Sequence, residues 1–345
     1  MPTPAQWQSS LVLDQILTTT VQNYMQTLFE QVLTNNFLYY WLFSRNRIKT
    51  MDGGEAIVVP LMYGLNETVR SYSGFDPLDV TPQDGLTPAR YEWKQISGSL
   101  SISRKMERQN SGKARMLSLL EAKMEQLRMS FNEVLGAMAF GRGLGNGGKD
   151  FLGLRALVEP GSYGTVGGID GNTYTWWRNQ AVAASGYPGG GNFDAGGTAD
   201  TIEGQTMVRD LYMKCVRGTQ QPDLAITHLT TYSEYEAALA QNERFTDSTT
   251  AMHGFMNLKV KNATMAWEES YIWGGASPFT TVGSVGQFYL LNSQFLQVVV
   301  DSETNFVSTP FVRPHDQDAR TSQILLMGNL VASNRKRQGV IYAIT

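Results

Sequence analysis

The sequence predicts an α+β fold, and three observations carry that prediction. Residues 113–140, KARMLSLLEAKMEQLRMSFNEVLGAMAF, hold one unbroken apolar stripe at helical spacing. Residues 55–64 and 90–106 alternate apolar and polar side chains on either side of a Pro/Gly/Asp-rich stretch, which is strand patterning. From 256 onward the chain is mostly β-like, in LKVKNATMAW, QFYLLNSQFLQVVV, ILLMGNLVAS and RQGVIYAI. With 345 residues the chain is long enough for about two domains. Charged residues are only 17% against 42% apolar, so small neutral polar residues and 34 glycines take the place of charge.

The elements follow in order. Residues 5–34 space Leu13, Leu17, Val21, Tyr24, Leu28 and Val32 by threes and fours, which predicts an amphipathic helical arm. The run Thr18-Thr19-Thr20 weakens it and Asn35-Asn36 is its expected stop. An apolar stripe at a terminus has to dock on its own body or on a neighbour's. EAIVVPLMYG at 55–64 and RYEWKQISGSLSISRKM at 90–106 then read as a long antiparallel hairpin around SGFDPLDVTPQDGLTP at 73–88. Asp76, Asp79 and Asp84 in that stretch lack EF-hand spacing and are expected to make turns rather than bind calcium.

In the 113–140 helix the stripe is Leu117, Leu120, Met124, Leu127, Phe131, Val134, Leu135 and Met138. At 1.5 Å per residue it runs about 40 Å, the length of a spine rather than of a crossover. Gly141, Gly143, Gly145, Gly147 and Gly148 then stop it. Residues 151–200 look irregular, helices are expected near 204–217 and 232–241, and DLAITHL at 223–229 between them reads as a strand. The last two β segments flank SNRKRQ at 333–338, which reads as a polar turn joining an antiparallel pair.

Composition and motifs exclude more than they select. A formal charge of −3 argues against a dedicated nucleic-acid binder. The single Cys215 rules out an intrachain disulfide or a multi-cysteine zinc site, and His228, His253 and His315 are too scattered to suggest a metal cluster. The longest apolar run, FLYYWLF at 37–43, falls far short of the ~20 residues of a membrane span. The N-terminal MPTPAQWQSS lacks the basic and apolar regions of a secretory signal. GLGNGG at 143–148 satisfies a GxGxxG pattern, and with Lys149 a GxxxxGK pattern. Phosphate loops follow a strand and open a helix, whereas this cluster follows a helix, so it reads as a helix stop. There is no GxSxG elbow, and Cys215 falls on an apolar helix face, so it reads as a small buried residue. His228 alternates with Leu224 and Ile226 and reads as a satisfied core or interface histidine. His315 beside Asp316 and Asp318 is the most reactive-looking neighbourhood, yet RPHDQDAR reads first as a surface loop. No catalytic, cofactor-binding or metal-binding residue is assigned. The densest positive charge, Arg335-Lys336-Arg337, reads as a solvated turn or as a contact to acidic neighbours or phosphates.

Arm, hairpin, spine helix, mixed body and closing strands, in that order, resemble the major capsid proteins of tailed bacteriophages, the Hong Kong 97-like fold. FLGLRALV at 151–158 followed by TVGGID…YTWWRNQ at 165–180 is similar to the segment after the spine helix in many of them. LAITHLTTYSEYEAAL at 224–239 is similar to their axial-domain strand and helix, and MGNLVASNRKRQGVIYAI at 327–344 to their closing strands.

The resemblance implies an N-terminal arm at 1–50, an extended loop region at 51–107, a peripheral domain at 108–218 with the spine helix at about 113–140, an axial domain at 219–300, and closing strands at 301–345 that return to the peripheral domain. It implies self-assembly into an icosahedral head shell around double-stranded DNA, as pentamers and hexamers, without a cofactor, without enzymatic chemistry and without a membrane. Contact with the DNA would be weak and non-specific. Assembly would take place in the host cytoplasm, giving the virion capsid. A portal and a decoration protein are implied partners, and because the sequence begins at the arm, scaffolding is expected from a separate protein. The candidates for contact between subunits are Leu13, Leu17, Tyr24, Leu28, Tyr91, Trp93, Lys94, Arg335, Lys336 and Arg337. Some relatives cross-link through a Lys–Asn isopeptide; Lys94 is a possible donor that nothing in the sequence selects. The alternatives are an encapsulin-like compartment around an enzyme cargo and a soluble enzyme using His315.

Overall fold

The structure is a computed structural model, which describes residues 36–109, 113–161, 163–187, 203–239, 257–268 and 286–344. The expected arm helix with Leu13, Leu17, Tyr24 and Leu28 lies outside the described residues. Helix α1 (Phe37–Ser44) is the FLYYWLF run. Phe37 through Leu42 are all buried, the behaviour of a helix that is apolar all round. The Asn36 side chain accepts from the Leu38 and Tyr39 amides, so the residue expected to stop one helix starts another. Strand β1 (Ile48–Met51) follows. Residues 37–51, which the sequence reading assigned largely to the arm, are therefore packed into the body.

Strands β2 (Ile57–Met62) and β3 (Leu86–Tyr91) pair antiparallel from Ile57↔Tyr91 to Met62↔Leu86. The hairpin expected from 55–64 and 90–106 thus closes on 86–91, just ahead of most of the second segment. That segment becomes β4 (Lys94–Ser103), which leaves the hairpin and pairs with another strand altogether. After α2 (Arg104–Gln109) comes the spine, α3 (Lys113–Phe140). Leu120, Met124, Phe131 and Leu135 are buried on its inner face, and Leu127 and Met138 pack beside them.

A ribbon of two short strands, β5 (Thr165–Val166) and β6 (Ile169–Asp170), and strand β7 (Gln180–Ala183) carry the irregular stretch. Then follow α4 (Glu203–Cys215), β8 (Leu224–Thr227), α5 (Leu229–Leu239), β9 (Asn257–Val260) and β10 (Ala263–Trp267). The chain closes with β11 (Gly286–Leu291), β12 (Leu296–Ser308), β13 (Ala319–Ala332) and β14 (Gly339–Ile344).

Two main sheets organise these strands. One has the order β1-β12-β13-β4 and the other β7-β14-β11-β8-β10-β9. The spine helix lies on the first. Phe131 meets Phe306 of β12 edge-on at 5.6 Å, and Gly98 of β4 passes directly beneath Phe131 and Leu127. The second sheet is buried on both faces. Val182, Ala225, Met265, Phe288, Leu290 and Ile341 face α4 and α5, while Leu224, Ile226, Tyr289, Leu291 and Val340 join the core that contains α1 and α3.

The final strands correct one expectation. β13 and β14 do not pair with each other: β13 pairs with β12 and β4, whereas β14 pairs with β11 and β7. Residues 333–338 carry the chain from one sheet to the other, so the last strand of 301–345 does not return to the sheet under the spine.

After Phe140 the Gly141 amide bonds back to the Met138 carbonyl, and Gly153 crosses against this helix end. A β-carbon on Gly153 would stand 2.3 Å from the Met138 carbonyl oxygen and 2.6 Å from the Gly141 amide nitrogen, all backbone. Gly147 has φ +70° but open space around it. Gly153→Ala is expected to lower unfolding free energy by about 1–3 kcal/mol or more through overpacking. Gly147→Ala carries only the left-handed penalty of roughly 1–2 kcal/mol. Urea unfolding of the two variants side by side checks that ranking.

Candidate assembly surface

The β2–β3 hairpin is divided along its length by chemistry. At its base Ile57, Leu61, Ala89 and Tyr91 are buried, and the intervening Val58 and Met62 are exposed. Tyr63 closes this rooted half: its ring stacks on Trp176 with centroids 5.2 Å apart, and its hydroxyl donates to the Asp84 carbonyl at 2.9 Å. Beside it Gly64 and Gly85 run close together, a β-carbon on Gly64 lying 3.4 Å from the Gly85 α-carbon.

Beyond that waist, residues 65–84 leave the body. Leu65 is 81% exposed, Val69 82% and Val80 89%, and Tyr72, Phe75 and Leu78 are exposed as well. Monomeric proteins rarely hold out so many large apolar side chains together, and such a strip marks an interaction site. Burying each against a partner is worth roughly 1.5–3 kcal/mol. The loop shapes itself with polar turns: Asp76 accepts from the Ser73 amide, and Asp79 from the Thr81 amide and hydroxyl. The Thr81 hydroxyl holds the Asp79 carboxyl below its ordinary range. These aspartates make turns, the chemistry their spacing predicts.

The contact candidates fall in different places. Tyr91 is buried in its own subunit, where its hydroxyl donates to the Ala332 carbonyl at 2.8 Å and burial pushes its pKa up to about 12. Trp93 is half-buried against the same core. The Lys94 ammonium is held at 2.7 Å by the Gly148 carbonyl and at 2.9 Å by Glu92, which ties β4 to the glycine cluster after the spine.

The basic run is not a solvated turn. Arg335 has no exposed surface and Arg337 is buried as well; only Lys336 points outward. Arg335 donates through Nε to the Leu157 carbonyl at 2.7 Å, lies over the Trp177 ring and faces Glu159 at 4.0 Å. Arg337 donates to the Cys215 carbonyl at 3.3 Å. Both bind carbonyls or rings of segments far away in sequence, so a local count of charges could not place them. Cys215 is buried, which pushes its thiol up to about 12.

The exposed loop strip was missed by pattern reading because Pro, Gly and Asp dominate it. The available signal was Leu65, Val69, Tyr72, Phe75, Leu78 and Val80 recurring every two to four residues inside a turn-rich stretch. His228 also takes a role that its strand alternation did not suggest. Its Nδ1 accepts from the Thr230 amide at 3.3 Å, just ahead of α5. His315, Asp316 and Asp318 lie on an exposed loop between β12 and β13, where Asp318 pairs with Arg104 at 3.9 Å. Among the described residues there is no group of three or more His, Cys, Asp or Glu able to hold a metal, and no helix is long and apolar enough to cross a membrane.

No family model matches the sequence, and no curated protein does. Solved structures do. A chain from "Cyanophage A-1(L) capsid asymmetric unit" superposes with a TM-score of 0.60 at 16% identity, over 87% of this chain and 90% of that one. A chain from "The capsid of Myoviridae Phage XM1" gives 0.53 at 12% identity, over 87% and 91%. The fold is the Hong Kong 97-like phage capsid fold. Because both capsid chains are covered almost end to end, the likeness is not confined to one shared motif.

Two predictions follow from the buried arginines and from His228. Arg335→Met removes the ion pair with Glu159 and the contacts to the Leu157 carbonyl and the Trp177 ring, and is expected to cost about 3 kcal/mol or more, whereas Lys336→Ala stays within roughly 0.5 kcal/mol. Thermal melts of the two variants separate these values. For His228, partial burial lowers its pKa below the ordinary 6.5, so its contribution is complete above that pH and is lost as the pH falls through the lowered value. Protection over 229–235, corrected for intrinsic exchange, is therefore expected to fall between pH 7.5 and 5 in the parent and to stay level in His228→Asn, which keeps an acceptor without titrating.

Proposed function

We propose that this chain is a major capsid protein, which self-assembles with copies of itself into an icosahedral shell enclosing double-stranded DNA. The observation that carries the reading is the 65–84 strip: an apolar projection that its own subunit leaves in water, on a fold shared with phage capsid chains. A two-stranded ribbon buries too little to stand alone, so it is stabilised by a neighbour's surface. A second copy supplies that surface in every subunit of a closed shell.

The remaining features agree with a wall. The net charge of −3 leaves packaged DNA to its counterions and to weak non-specific contacts. Pentamers and hexamers, a separate scaffolding protein and a portal complete the assembly we propose, in the host cytoplasm and then the virion. The 1–50, 51–107, 108–218, 219–300 and 301–345 segments keep their proposed roles, with 36–50 and the last strand packed as described above. Of the contact candidates, Leu13, Leu17, Tyr24 and Leu28 remain proposed through the arm, and Lys336 through the one outward side chain of its run. The role requires no chemistry. An encapsulin-like compartment shares this fold, but the two solved structures described above are phage capsids, and this favours the DNA head.

The triple variant Phe75→Ser, Leu78→Ser, Val80→Ser tests the reading. The subunit is expected to melt as the parent does, within about 0.5 kcal/mol, because these side chains are exposed in the folded subunit. Shell formation, followed by sedimentation velocity and electron microscopy, is expected to be abolished. Shells at parental yield would overturn the proposal.

A further inference from the structure

Helix α1 is pinned at both ends by carboxylates from the six-stranded sheet, and the two pins differ in kind. Near its C-terminal end, the Trp41 indole donates to Asp223 at 3.2 Å, and Arg45 lies 3.9 Å from the same carboxylate. Asp223 stands just ahead of β8 and also receives the Ser293 amide at 2.8 Å. At the N-terminal end, the Phe37 amide donates to Glu268 Oε2 at 3.1 Å, across 231 residues of sequence. Glu268 stands just after β10, its own amide bonded to the Thr227 carbonyl at 3.1 Å. Because β8 and β10 run parallel, the pins sit at opposite ends of the same strand pair.

Every early amide of α1 is accounted for. Leu38 and Tyr39 bond the Asn36 side chain, Tyr40 bonds the Asn36 carbonyl, and Phe37 bonds Glu268. The surroundings of the two carboxylates are unlike. Asp223 has Arg45 beside it and partial access to water. Glu268 is buried, and no cation among the described residues pairs with it. The titratable group facing it is Tyr39 of α1, whose hydroxyl is buried without a hydrogen-bond partner and whose pKa is raised by burial and by the Glu268 charge. From the sheet side it meets Thr227, which donates to the Gln287 carbonyl, and both are neutral.

We propose that Glu268 is a proton-operated pin: its neutral form holds the N-terminal end of α1 against the six-stranded sheet, and loss of its proton releases that end. Burial pushes the Glu268 carboxyl from 4.5 up to about 8 despite the Phe37 and Leu38 amides that bond it. A carboxylate disfavoured in its site is favoured in water, so ionisation draws α1 toward conformations that solvate Glu268. The contribution of the pin is therefore complete below pH 4.5 and lost as the pH rises through about 8. Asp223 keeps the far end fixed, so the opening is confined to the first turn. That turn is where residues 1–35 join the body, so the pin governs the root of the segment ahead of it.

Hydrogen exchange of the full-length subunit tests this, read on peptides from 37–44 and from β12 between pH 6.5 and 9.5 and corrected for intrinsic exchange. Protection over 37–40 is expected to fall roughly tenfold per pH unit from 6.5 up to about 8 and to level off above it, while β12 stays level. Glu268→Gln, neutral at every pH, is expected to hold its protection flat. Identical profiles for parent and Glu268→Gln, or a parallel loss in β12, would overturn the proposal. If Glu268→Gln does not accumulate, the comparison of 37–40 with β12 in the parent decides alone.

Discussion

Strand β13 is paired along both edges, with β12 from Leu296↔Ala332 to Ser308↔Ile324 and with β4 from Ala319↔Ser103 to Gly328↔Lys94. The other parts take their positions from this double ladder. It holds β4 under the spine helix and so sets where the chain turns back into the projecting hairpin. Asn329, fully buried within it, donates to the Glu92 carbonyl and accepts from the Leu152 amide. One side chain thereby fastens both the root of the hairpin and the segment after the spine. Gly328 makes the close fit possible, since a β-carbon there would stand 2.5 Å from the Val299 carbonyl oxygen.

The two sheets are coupled by buried connections rather than by strand pairing. Arg335 and Arg337 take the chain from β13 to β14 and bind carbonyls on the way, and α1 lies against the second sheet between two carboxylates. Buried cations are expensive, and Arg335 Nη1 and Arg337 Nε find no hydrogen-bond partner, so the link rests on the remaining contacts of the two side chains. The subunit is thus firm in its body, while the loop at 65–84 stays outside both cores.

That contrast explains the composition. Charge is low because much of the surface suits neutral and apolar contact, and glycine is common where backbones cross closely or chains reverse. The exposed strip has the opposite logic to a core: its side chains are as apolar, but the folded subunit leaves them exposed.

By itself the sequence determined the spine helix, the strand-rich second half and the fold that the solved capsid structures share. Helical stripes and strand alternation are local periodicities, read directly from residue spacing. Only the tertiary structure decided that 94–103 leaves the hairpin for β13, that 327–332 and 339–344 belong to different sheets, and that Asn36 opens a helix. It likewise decided that Arg335 and Arg337 are buried and that Tyr91 faces its own core. Alternation reports which face a side chain takes but not which strand lies beside it, because partner choice is settled by loop closure and packing across hundreds of residues. The same holds for a charge: burial depends on which distant carbonyl reaches it, and Leu157 and Cys215 are named nowhere in the local pattern around 335–337.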